Sequence, residues 1–310
     1  MKNVISTVIS TTVLFTALAA VYAAEPAKTE AIKTQEIKMG AGSAMGEYAK
    51  TIVPAISNAL KTHGYTAAVE VSAGSQENID NVLSGKVPAA LSQLDVVAMN
   101  VYEGKQDLVV LGKIAPEALL CAAGAKIKSY DDLTDSKRPA INVSVGDEKG
   151  GTIRTMEYLM KLDPKLNIKL ETSKESTDAE LNRLASGNRE MVCFVMMPNP
   201  HNEMIKKVAD SKELHFIDIN KIDVSSAKVG DANAYEIAKV PVGGGVLGVN
   251  TKKVETLVTW ATVVVKKDVD IKLKGALAAV VDKPDLLPPD SLSGKSKKAL
   301  DDFMGFFKKP

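Results

Sequence analysis

Hydrophobic residues in this chain fall into two alternating patterns. Short apolar runs give way to stretches in which apolar positions recur every three or four residues. The first run starts at Ile37 and stops at Gly40. A glycine-rich turn follows, and Ser43 opens a helical pattern carried by Tyr48, Ile52, Val53, Ile56, Ala59 and Leu60. Residues 67–72 read as a strand. Ser75-Gln-Glu-Asn78 opens a second helix that stops at Ser84-Gly85, with glycine as the C-terminal cap. Residues 89–94 read as a strand, 96–102 as a short helix and 108–114 as a strand. This rhythm predicts a parallel sheet with helices on its faces.

The rhythm restarts after Gly124. Ser129-Tyr-Asp-Asp-Leu133 reads as a short helix entry, and 139–145 as a strand. The turn from Gly146 through Gly150-Gly151 leads to Thr152, which opens a helix through Met160. Strands at 168–172 and 191–197 bracket a helix at 177–186, and a helix at 199–209 follows Pro198. Past Val240, Gly243-Gly-Gly245 interrupts an apolar stretch. Residues 254–266 are strongly β-prone. Helices are expected over 272–281 and 296–307, separated by a loop at 284–289.

Strand, glycine turn and helix thus occur once in each segment. Leu83-Ser-Gly85 and Ala185-Ser-Gly187 each precede a strand. The echo predicts two similar α/β lobes. Lobe I covers 36–120, lobe II covers 121–235, and 236–310 returns to lobe I with C-terminal helices.

The glycine turns are candidate binding elements. Gly42 and Gly46 allow close approach to backbone, and amides at a helix start favour a polar or anionic group. The same pattern also suits a tight turn that holds nothing.

The chain has 310 residues, 45% hydrophobic and 25% charged, with only 5% aromatic. That is enough for two lobes with cores built from Ala, Val, Leu, Ile and Met. Residues 1–23 read as a cleaved signal peptide. Lys2 is basic, 4–20 is apolar, and Val21-Tyr-Ala23 supplies a cleavage site. A loose leader follows at 24–35. The formal charge of +1 becomes 0 once Lys2, the one charged residue in that peptide, is removed. A neutral mature chain argues against nucleic acid as a partner. Cys121 and Cys193 both lie in apolar runs, so burial as free thiols is expected. In an oxidising compartment a disulfide stays open.

Motif chemistry is sparse. Gly40-Ala-Gly42-Ser-Ala-Met-Gly46 is one residue too long for a dinucleotide fingerprint, and no acidic residue ends the next strand. Ser293-Gly-Lys-Ser296 resembles the tail of a phosphate-binding loop, but Pro289 stands where glycine is required. No nucleophile elbow or paired-histidine zinc motif is present. His201 and Glu203 suit a solvated helix face better than a metal. No catalytic constellation, cofactor or metal is expected. An exported two-lobe protein of this kind suits ligand capture.

At this point the motifs resemble a known family. Met39-Gly-Ala-Gly-Ser-Ala-Met-Gly-Glu-Tyr48, Ala73-Gly-Ser-Gln-Glu-Asn-Ile79, Leu83-Ser-Gly85 and Ser92-Gln-Leu-Asp95 resemble blocks of the TAXI proteins, solute receptors of TRAP transporters. Ser129-Tyr-Asp-Asp-Leu133, the turn at 145–152 and the run at 256–266 fit as well, over most of residues 36–282. Glu47 departs from the family, which usually carries an aromatic pair there. The resemblance implies a two-lobe periplasmic binding protein of type II, with two crossover connections and mixed, mostly parallel sheets. It implies a monomer that closes on an amino acid or small carboxylate and delivers it to a TRAP-type permease. Two other classes stay open, namely a solute-sensing receptor on the same fold and an exported enzyme with an unrecognised cleft site. A copy that has lost binding is a further possibility.

Candidate ligand contacts from lobe I are Ser43, Ala44 and Met45 at the first helix start, with Tyr48 as a wall. Ser75, Gln76 and Asn78 stand at the second helix start, and Gln93 and Asp95 at a strand end. Lobe II offers Lys149, Gly151 and Thr152 at a helix start, and Met197 and Pro198 after a strand. Ser75, Thr152 and Asp95 also suit helix capping, and Tyr48 and Met197 suit packing. At a site, Asp95 would favour an ammonium group.

Overall fold

The computed structural model describes residues 34–243 and 252–298. The expected signal peptide, nearly all of the leader, Gly244 and Gly245, and most of the expected helix at 296–307 lie outside the described residues. Residues 292–298 are helical, so that helix begins earlier than its apolar pattern suggests.

The first half opens with β1 (Gln35–Gly40), a turn, and then α1 (Val53–Leu60). The helix does not start at Ser43. Gly46 donates to the Ser43 carbonyl, and Met45 donates to the Ser43 hydroxyl at 3.3 Å, so residues 43–46 turn back on themselves. A π-helical turn over Tyr48–Ile52 then leads into α1, which has proline in its first turn. Pro54 has no N–H to return to residue 50, so ordinary α pairing cannot run through it. β2 (Tyr65–Glu70), α2 (Ser75–Leu83), β3 (Ala89–Gln93) and α3 (Leu94–Tyr102) follow. Every residue of β3 is buried, as expected of an inner strand covered on both faces.

β4 (Leu108–Gly124) is one unbroken strand of 17 residues, longer than the 108–114 strand expected. Beyond it come α4 (Tyr130–Leu133), β5 (Ile141–Ser144), α5 (Gly151–Leu162), β6 (Ile168–Glu171), α6 (Thr177–Ala185), β7 (Met191–Met196) and α7 (Glu203–Ala209). The short strands β8 (Leu214–Phe216), β9 (Lys228–Val229) and β10 (Ala232–Asn233) precede β11 (Glu236–Gly243), β12 (Lys252–Lys266) and α8 (Ile271–Val281).

The main sheet runs β2-β1-β3-β12-β4-β7-β5-β6, with β11 added to β12 and β8 to β4. β1 pairs parallel with β2 and β3, and β5 pairs parallel with β6 and β7. Between these parallel groups lie the antiparallel partners β12 and β4. The same β4 pairs with β12 through Ala118 and with β7 from Ala118 to Ala123. The sheet is therefore mixed, and two long strands carry the chain from one half to the other and back. Alternate residues of these strands feed opposite cores. Ala261, Val263 and Val265 pack with Met39, Ile52 and Leu277, while Val264 packs with Ile79 and Val97. Leu119, Cys121 and Ala123 join the core around Val143 and Leu159, while Leu120 and Ala122 join Phe194 and Ile205. No helix among the described residues is long and apolar enough to cross a membrane.

The free-thiol expectation is overturned. Cys121 and Cys193 are directly opposed in the antiparallel pairing of β4 with β7, with Cα atoms 4.1 Å apart, and they form a disulfide. The sequence separation of 72 residues conceals a cross-strand register that puts both side chains on one face.

Candidate functional site

Between the two halves lies a cavity of about 400 Å³. The turn after β1 forms one wall, through Ala41 to Ser43 and Met45 to Tyr48. Gly74 and Ser75 at the start of α2, Gln93 at the end of β3 and Glu117 in β4 complete the first half's share. The second half supplies Gly151 and Thr152 from α5, Val195 to Met197 from the end of β7, and Asn202 and Met204 at the start of α7. Leu292 comes from the returning C-terminal segment. That segment touches both sides. Ser293 donates its amide to the Glu47 carboxylate at 3.0 Å, and Ser296 donates its hydroxyl to the Pro198 carbonyl at 3.0 Å.

Glycines let the halves meet. A Cβ on Gly151 would stand 1.5 Å from Gln93 Oε1, and one on Gly74 would stand 3.1 Å from the Gly150 Cα. Gly74 also has φ of 143°, which favours glycine. The Glu77 amide donates to the Lys149 carbonyl at 3.3 Å across the same contact. Deeper in, the buried Asp95 carboxyl in α3 accepts from Thr155 Oγ1 of α5 at 2.5 Å and from the Tyr235 hydroxyl at 2.9 Å. Burial raises the Asp95 pKa, although these hydroxyls and the Val96 amide act in the opposite direction.

Of the sequence candidates, Ser43, Met45, Tyr48, Ser75, Gln93, Gly151, Thr152 and Met197 line the cavity. The other six are placed elsewhere. Ala44 is exposed beside the turn, and Lys149 is exposed on a tight turn where its amide donates to Asp147. Gln76 exchanges amide hydrogen bonds with Asn100. Asn78 donates to the Leu91 carbonyl and accepts from the Ser72 hydroxyl, tying α2 to the sheet. Pro198 meets Ser296 rather than the cavity, and Asp95 is taken up by the contact between halves. Neither Ser75 nor Thr152 caps a helix. The Ser75 hydroxyl donates to Gln93 Oε1 at 3.3 Å, and Thr152 Oγ1 accepts from the Val195 amide at 3.1 Å.

Glu117 is the main residue that sequence reasoning missed. It is 7% exposed, and one carboxyl oxygen accepts from the Tyr48 hydroxyl at 2.7 Å. Burial pushes its pKa up to about 8. The Tyr48 hydrogen bond opposes that shift, and the nearby Asp95 charge reinforces it. Tyr48 in turn is raised well above the usual phenol value, first by burial and then by the Glu117 charge. Gln93 Nε2 is buried and has no hydrogen-bond partner among the described residues. The available signal for Glu117 was a single acid beside Pro116 within an apolar run. Asn202 is the N-cap of α7, accepting from Met204 at 2.9 Å. The remaining lining, from Met196, Met204, Val195 and Leu292, is apolar.

A family model described as NMT1-like matches residues 39–274. The chain belongs to the NMT1-like family. No curated protein matches it by sequence. Among solved structures it is similar to XAC2383 from Xanthomonas citri bound to ATP, at 9% identity and TM-score 0.50, covering 88% of this chain and 98% of that one. A mutant of arginine-bound ArgBP from T. maritima matches at 15% identity and TM-score 0.45, covering 79% and 94%. An ABC transporter periplasmic substrate-binding protein from Coxiella burnetii matches at 12% and 0.43, covering 84% and 98%. At 9% identity the likeness to XAC2383 concerns fold alone. This member of the NMT1-like family has a two-lobe α/β fold, with β4 and β12 as its two crossover strands.

Proposed function

We propose that this chain is an exported solute receptor of the TAXI type. It captures a small organic solute, an amino acid or small carboxylate, in the periplasm and hands it to a TRAP-type permease. The observation that carries this reading is the cavity itself, walled by both halves and of a size suited to a small molecule. In this reading Ser43, Met45, Tyr48, Ser75, Gln93, Gly151, Thr152 and Met197 contact the solute, joined by Glu117 and Asn202. The solute bridges the halves and so favours the closed form over the open one.

A thermal-shift screen of the mature chain against amino acids, 2-oxo acids and dicarboxylates tests it. A solute at a hundredfold over its dissociation constant adds about 2.7 kcal/mol of stability. Absence of a shift across the panel would remove the support for capture of such solutes.

A further inference from the structure

We propose that the cavity selects a solute bearing a protonated amine, with that amine held by Glu117, so that capture releases a proton from Glu117. This deepens the solute-receptor reading and rests on it.

Charge comes first. Among the described residues, the ionisable side chains of the lining are Glu47, Tyr48 and Glu117, with no lysine, arginine or histidine. Lys149, the one cation expected there from sequence, is exposed on its turn. A second carboxylate entering this cavity would meet only acidic or neutral side chains and would depend on backbone amides alone.

Hydrogen bonding comes second. Tyr48 takes one oxygen of Glu117, and no other hydrogen bond reaches that carboxyl among the described residues. Gln93 is 4% exposed, and its Oε1 is already occupied by Ser75. The carboxyl oxygen of Glu117 that Tyr48 leaves free matches a solute with an N–H donor.

The proton follows from the enclosure. Among the described residues the groups acting on Glu117 are Tyr48 from the π-helical turn and Asp95 from α3, and neither is positive. In the empty cavity at neutral pH the carboxyl therefore keeps its proton. An ammonium at hydrogen-bond distance favours the carboxylate, and the displaced proton leaves to solvent. A carboxylate solute would need that proton retained, so the two classes of solute give opposite pH dependence.

Isothermal titration of the mature chain with matched pairs separates them. The pairs are alanine and pyruvate, glutamate and 2-oxoglutarate, and cadaverine and glutarate. The expected result is binding by the amine member of a pair. Its affinity should rise about tenfold per pH unit from about pH 6 to about pH 8 and then level off, with one proton released per solute in buffers of different ionisation enthalpy. Glu117→Gln should flatten that dependence and weaken binding at least tenfold. Because the wild-type pH profile is itself a readout, the test does not depend on the variant folding. Binding confined to the amine-free members, or affinity that falls as pH rises, overturns the inference and leaves the solute receptor standing. Failure of every probe to bind overturns both.

Discussion

A carboxyl enclosed as Glu117 is makes stability depend on pH in a defined direction. Its pKa rises from an ordinary value of 4.5 in the unfolded chain to about 8 in the folded one. Below pH 4.5 both states hold the proton, and the group carries no penalty. Between 4.5 and 8 only the unfolded state releases it, so stability falls as pH rises, and it levels above 8. The full span is worth about 5 kcal/mol. Denaturant titration of Glu117→Gln against the parent should show the variant gaining relative stability between pH 5 and pH 8, most of that amount; parallel curves would mean that Glu117 is solvated. Tyr48→Phe should cost about 1–2 kcal/mol, because it removes the hydroxyl that donates to the buried carboxyl. At this scale the glycine turn, Tyr48 and Gln93 were legible, since they sit at a strand end or the helix start next to it. Glu117 was not, because a lone acid in an apolar run acquires its role only when a distant tyrosine packs on it. Asn78 and Gln76 were misjudged for the converse reason. Their polar groups are consumed by Leu91 and Asn100, and no local pattern announces such partners.

Most elements were legible because periodicity reports a buried face wherever it is long enough. α5, α6, β3 and α8 fall within a residue or two of their expected bounds. The unbroken β4 was hidden because Pro116 and Glu117 interrupt its apolar run, though Pro116 has a strand partner, Trp260, on one side only. The two-residue strands β9 and β10 are too short for any period. The π-helical start of the first helix was masked by apolar spacing that suits either winding. The element contact most open to test is α5 against β3. Gly151→Ala sets a methyl group against Gln93, so α5 must retreat from the first half. The expected outcome is a larger radius of gyration in small-angle X-ray scattering with solute present, and affinity at least tenfold weaker, with an unchanged far-ultraviolet spectrum. An unchanged radius and affinity would show that Gln93 can move aside.

Across the whole molecule, one polar cluster ties the halves together and one disulfide closes the second half on itself. The Asp95–Thr155–Tyr235 cluster fastens α3 to α5. Thr155→Val should cost about 1–3 kcal/mol by leaving a buried carboxyl one donor short, read as a lower midpoint in urea. The disulfide closes a loop of 72 residues, and replacing both Cys121 and Cys193 by alanine should cost about 4 kcal/mol under the same measurement. The order of strands then bears on how the chain assembles. β4, β7, β5 and β6 all come from residues 108–196, so the second half can set its register and oxidise its cysteines early. The first half cannot follow suit. β12 lies between β3 and β4, so this half's central sheet stays split until residues 252–266 have been synthesised. Until then β3 shows bare ladder groups to its surroundings, and a nascent chain arrested before residue 252 would be a target for chaperones and for aggregation at that edge.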